Sequence, residues 1–135
     1  MRASKRMKAV ITRALEKHGK SLDDPELYLK IENDPYMPLT IERTWEGLLS
    51  LCHYAKDDYG DLYQDPEVVF LIGCDGEWYP IEIQRPDFRT GQFYCRYAEV
   101  DGHKGTFSKV DLRGQADLAR FCTMWANNIA RQGFA

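Results

Sequence analysis

The chain has 135 residues, 44% of them hydrophobic and 29% charged, with a formal net charge of −3. These values suit one globular domain able to bury roughly two-thirds of its unfolded surface. No apolar run approaches the ~20 residues of a membrane helix, and the opening MRASKRMKAV lacks the apolar stretch of a secretory signal.

Residues 1–20 predict a basic helix. Met7, Val10, Ile11, Ala14 and Leu15 follow the spacing that places them on one face. Gly19 is a natural left-handed stop, with His18 beside it in the last turn. The same twenty residues hold seven bases against one acid, a net +6, so the remainder of the chain carries −9.

SLDDPE then breaks the chain, and from residue 27 to about 110 the pattern is β. LYLKIEND alternates with period two. PYMP follows, and its two prolines disfavour a central strand. LTIERTW alternates again, with Glu46-Gly47 as a tight turn before LLSLCHYA. EVVFLIG is apolar on both faces. Asp75-Gly76 predicts a hairpin into EWYPIEIQ, and Asp101-Gly102 joins QFYCRYAEV to the weaker GTFSKV.

Residues 111–133 predict a second helix. Leu118, Phe121, Cys122, Trp125 and Ile129 make one stripe, Asp111 is the N-cap, and Gly133 is the stop. The expected architecture is α+β over residues 1–135. A mostly antiparallel β-meander of five to seven strands is packed on one face by the N- and C-terminal helices.

The most suggestive stretch for chemistry is LCHYAKDDYGDLYQDPEVVF, residues 51–70, with one histidine, five acids and three tyrosines. His53 shares a strand face with Leu49 and Leu51. If the following strand pairs back, His53 approaches Asp65 or Glu67, with Asp61 on the loop above. An imidazole and two or three carboxylates suit a hard divalent cation, or a carboxylate-oriented histidine base. Turn chemistry accounts for the same residues, since Asp65-Pro66 reads as a turn initiator and Tyr59-Gly60-Asp61 as a loop.

Other catalytic patterns are missing. There is no H-x-H, H-E-x-x-H, G-x-S-x-G, S-x-x-K or phosphate-binding glycine loop. Adjacent Cys52 and His53 point to opposite faces of a strand, which rules out a Cys–His dyad between them. Cys52, Cys74, Cys95 and Cys122 form no C-x-x-C pair. They read as reduced thiols of a cytoplasmic protein, with neither zinc nor disulfides implied, and no cofactor is expected.

Two surfaces suggest binding. Lys5, Arg6, Lys8, Arg13 and Lys17 occupy the helix positions left free by the apolar stripe. Such a face meets phosphates or an acidic protein, or is simply solvated. On the sheet, period two puts Trp78 and Pro80 on one side and Tyr79, Ile81 and Ile83 on the other. Trp78 beside Tyr94 and Arg96 would make an aromatic contact patch.

IENDPYMPLTIE, HY…YGDLYQDPEVVF and WYPIEIQ, in that order, resemble a family of small uncharacterised bacterial proteins, a domain of unknown function. The resemblance spans about residues 29–84 and leaves out both helices. It rests on Tyr36, Met37, Leu39, Ile41, Glu42, His53 and Tyr54, then on Gly60, Asp61, Asp65, Pro66 and Glu67, and finally on Trp78, Tyr79 and Pro80. It implies an accessory role on plasmids, phages and other mobile elements, and no activity, cofactor or catalytic residue.

The reading that follows is a non-enzymatic accessory protein in the cytoplasm. It contacts a protein partner, or a second copy of itself, and does not engage a membrane. Two alternatives stand beside it: a metal-dependent hydrolase or nuclease centred on His53, Asp61, Asp65 and Glu67, and a nucleic-acid binder using the first helix.

Overall fold

A computed structural model describes residues 1–135. Helix α1 (Lys5–Lys17) buries Met7, Val10, Ile11, Ala14 and Leu15, the predicted stripe. It stops where Gly19 takes φ +65°. Six strands follow: β1 (Tyr28–Asn33), β2 (Tyr36–Arg43), β3 (Leu49–Lys56), β4 (Leu62–Ile72), β5 (Trp78–Asp87) and β6 (Gly91–Arg96). They form one antiparallel sheet whose spatial order is the chain order. A short hairpin, β7 (Glu99–Asp101) and β8 (Thr106–Ser108), stands apart from it. Helix α2 (Leu112–Arg131) closes the order, and the Asp111 carboxylate caps it by accepting from the Gly114 N–H at 3.0 Å. The fold is α+β, and neither helix is long and apolar enough to cross a membrane.

Both helices lie on one side of the sheet. The main core joins their stripes to Leu29, Ile31, Leu39, Ile41, Leu49, Leu51, Val68 and Phe70. Gln115 is a fully buried polar residue in α2, and its hydrogen bonds explain it. Its side chain accepts from the Arg2 N–H at 2.8 Å and donates to the carbonyls of Arg2 at 2.8 Å and Pro80 at 3.1 Å. The segment before α1 is thereby pinned to α2, and the Ser4 N–H bonds the Trp78 carbonyl at 2.8 Å.

The far side of the sheet is only partly covered. Gly102 brings β7–β8 against the Thr44–Leu48 turn, so close that a Cβ there would overlap the Glu46 carbonyl. A second small cluster forms beneath, from Leu48, Val69, Leu71, Ile81 and Ala98.

The strands depart from the sequence expectation at three places. Pro38 lies inside β2, an interior strand. Its missing N–H is tolerated because the β1–β2 register shifts between Ile31 and Asn33. Asp65 and Pro66 lie inside β4, not in a turn. The reversal is made earlier, where the Asp57 carboxylate accepts from the N–H groups of Tyr59 and Asp61, both at 2.9 Å, and Gly60 takes φ +85°. The third departure is in β5. Phe70 faces Pro80 while Val69 faces Glu82, so Ile81 is an extra residue and the alternation changes phase. Trp78 and Ile83 consequently join the helix-side core, while Ile81 joins the far-side cluster.

Candidate functional site

His53 sits on the helix side of β3, only 6% exposed. Its Nδ1 lies 3.0 Å from the Met37 carbonyl and 3.3 Å from that of Pro38. Both partners accept, so Nδ1 carries the proton and Nε2 presents a lone pair. Burial pushes the imidazole below its ordinary value; the Pro38 and Met37 carbonyls and the Asp65 carboxylate pull the other way. The ring packs on Trp125 and Phe134, with centroids 5.6 and 5.5 Å away.

Opposite His53, Cys52 pairs with Glu67 and Tyr54 with Gln64, so His53 alone faces both Asp65 and Pro66. That bulge keeps Asp65 beside the histidine in a cleft of about 310 Å³ between the sheet and α2. Arg85 lies at the cleft's β5 side, with its guanidinium 4.6 Å from the centre of the Phe93 ring. Trp125 walls the helix side. Its indole N–H is buried without an acceptor, which costs roughly 1–3 kcal/mol.

The four residues of the expected metal or catalytic centre do not converge. His53 and Asp65 share the cleft. Glu67 points to the far face, where it accepts from the Ser50 hydroxyl at 2.6 Å. Asp61 is exposed beyond the β3–β4 turn. No three His, Cys, Asp or Glu side chains stand close enough together to hold a metal ion.

The far face carries a different arrangement, invisible strand by strand. One row of directly opposed residues crosses all six strands: Tyr28, Glu42, Ser50, Val69, Glu82 and Arg96. The next row runs Lys30, Thr40, Cys52, Glu67, Gln84 and Tyr94. Tyr28 and Tyr94 are 55% and 56% exposed at opposite ends, with Glu42, Glu67 and Glu82 between them. The Tyr94 hydroxyl donates to Glu82 at 2.7 Å, and Arg96 lies 3.7 Å from the same carboxylate. Burial and this glutamate push the Tyr94 phenol up to about 12. In the middle of the face, burial and Glu67 push the Cys52 thiol up to about 12, so it is an inert thiol.

Of the expected contact patch, Tyr94 and Arg96 are on this face, but Trp78 is not on the surface at all. It is 1% exposed and packs on Phe70 at 6.1 Å. On α1, Lys5, Arg6, Arg13 and Lys17 are exposed as expected. Arg6 donates to the Asn127 side chain at 2.8 Å, and Lys8 to the Gly76 carbonyl at 2.8 Å. Lys5, Arg13 and Lys17 make no ion pair.

A two-helix layer on a six-strand meander whose other face is only partly covered is the form taken by residues 6–135, and the model of a domain of unknown function, DUF6908, matches that same span. The chain belongs to the DUF6908 family. No curated protein and no solved structure matches it. The match takes in both helices, so the family unit is wider than the strands that carry the sequence resemblance. DUF6908 membership brings no activity with it.

Proposed function

We propose that the protein is a non-enzymatic accessory protein that binds a protein partner on the open far face of its sheet, and that the partner presents a basic, extended segment. One observation carries this reading: the two cross-strand rows put exposed Tyr28 and Tyr94 at either end of a strip centred on Glu42, Glu67 and Glu82. An antiparallel sheet tolerates water on one face with ordinary polar residues. Tyrosine rings framing partly buried carboxylates suit contact better than solvation, because tyrosine is enriched where protein surfaces meet.

Charge segregation supports the same orientation. The basic first twenty residues leave −9 on the rest of the chain. A basic partner is therefore drawn toward the strip and away from α1. A cytoplasmic setting fits the reduced cysteines. The family resemblance adds the biology of plasmids, phages and other mobile elements as its context.

Fluorescence anisotropy with two labelled extended peptides tests the reading, one alternating arginine with valine and one alternating glutamate with valine. The basic peptide is expected to bind with an affinity that falls as salt rises, and to be lost on Glu42→Lys with Glu82→Lys. Equal binding of both peptides, or binding that survives the double reversal, would sink it. A second copy is the other protein occupant. Sedimentation velocity would reveal that as a dimer dissociated by the same substitutions.

A further inference from the structure

We propose that the cleft between the sheet and the C-terminal half of α2 is a binding site for a free α-amino acid with a large apolar side chain. The space measures about 310 Å³, the small end of the volumes that hold ligands. It opens on the helix side, on the opposite face from the strip of glutamates.

Three polar groups set its chemistry. The neutral His53 ring spends its only N–H on a backbone carbonyl, leaving Nε2 as an acceptor that has no partner in the chain. Asp65 adds a carboxylate that joins none of the ion pairs in the molecule. Arg85 adds a cation, exposed and likewise unpaired. It lies over Phe93, and its one protein acceptor is the Pro86 carbonyl at 3.5 Å.

Register brings the opposite charges together. Glu67 faces Gln84, so one step further along the two strands sets Pro66 level with Arg85. Asp65 on β4 and Arg85 on β5 belong to neighbouring strands and line the same cleft without pairing with each other. An ammonium and a carboxylate on a single carbon would supply one opposite charge to each of them. The ammonium would donate to Asp65 and His53 while the carboxylate accepts from Arg85.

Phe121, Met124 and Trp125 line the opposite wall. Aromatic rings and an adaptable thioether suit a large apolar side chain. A simple amine would forgo the attraction of Arg85, and a simple acid would bring a second carboxylate toward Asp65, so each lacks one of the two charges that the site rewards.

Isothermal titration calorimetry with phenylalanine, phenethylamine and 3-phenylpropionate tests the assignment, backed by a thermal-shift panel of all coded amino acids. Phenylalanine is expected to bind, and loss of either end group to weaken binding about tenfold or more. Arg85→Gln should erase the preference for phenylalanine over phenethylamine. Asp65→Asn should erase its preference over 3-phenylpropionate. Neither side chain belongs to the core, so unchanged melting of the unliganded variants separates lost binding from lost folding. No shift with any amino acid at ~10 mM overturns the proposal, since a ligand of the native state must raise stability. Equal affinity for phenylalanine and phenethylamine overturns it too, as does a preference for charged or small amino acids.

Discussion

The imidazole of His53 meets the indole of Trp125 edge-on, with ring centroids 5.6 Å apart and planes at 61°. One ring comes from the middle of the sheet and the other from α2, so the contact ties the two layers together. Trp125→Ala should cost about 3–5 kcal/mol in urea unfolding, through lost burial and the cavity left behind. A double-mutant cycle with His53→Ala should return a coupling of about 0.5–1.5 kcal/mol. Strictly additive losses would mean that the rings are neighbours without mutual attraction.

Acid should weaken the fold through the same histidine. Burial lowers the folded imidazole below its ordinary value, so the unfolded chain binds the proton more readily. The contribution of neutral His53 is therefore complete above about pH 6.5 and declines as pH falls from there toward the folded value. Melting temperatures from pH 8 to pH 5 should drop further for the wild type than for His53→Gln. Parallel curves would assign the acid sensitivity elsewhere.

Gln115 should anchor the residues that precede α1. Gln115→Ala strands the Arg2 N–H and the carbonyls of Arg2 and Pro80, at about 1–3 kcal/mol for each group that stays out of water. Hydrogen exchange at residues 2–4 is the direct readout, and it should quicken well before the strands respond. Protection unchanged at Ser4 would show that its bond to Trp78 suffices.

The β7–β8 hairpin should lift on Gly102→Ala. The new methyl meets the Glu46 carbonyl and comes within 2.9 Å of the Gly47 carbonyl carbon and a Leu48 methyl, and overpacking of this kind costs about 1–3 kcal/mol. Leu48, Val69, Leu71 and Ile81 would then be uncovered. Binding of an apolar fluorescent dye should rise in the variant under native conditions, and an unchanged signal would mean that the turn below had yielded instead.

Much of this fold is legible in short windows of sequence because its causes are short-ranged. The stripes of α1 and α2, the Asp111 cap and the Asp75-Gly76 turn each depend on residues within a few positions of one another. What escapes a reading along one strand is register between strands. The extra residue at Ile81 reverses the sides of β5, turning Trp78 inward against the simple alternation. The bulge at Asp65 and Pro66 separates Asp65 from Glu67, two carboxylates that period two had put on one face. The far-face strip is harder still, since Tyr28 and Tyr94 become ends of one surface only after five pairings are in place. His53 is the intermediate case. Its face follows from Leu49 and Leu51, but the meeting with Trp125 depends on where α2 comes to rest.

Every strand of the sheet pairs with its chain neighbour, while the layer that covers it is split between an early helix and a late one. During synthesis, all six strands are made before Leu118, Trp125 and Ile129 exist. Phe70, Trp78 and their neighbours must wait, half-sheltered by α1, for the closing segment to arrive. For this topology the vulnerable interval ends only when α2 has emerged and docked on the sheet, and a chaperone that shields apolar surface would have its opportunity before then.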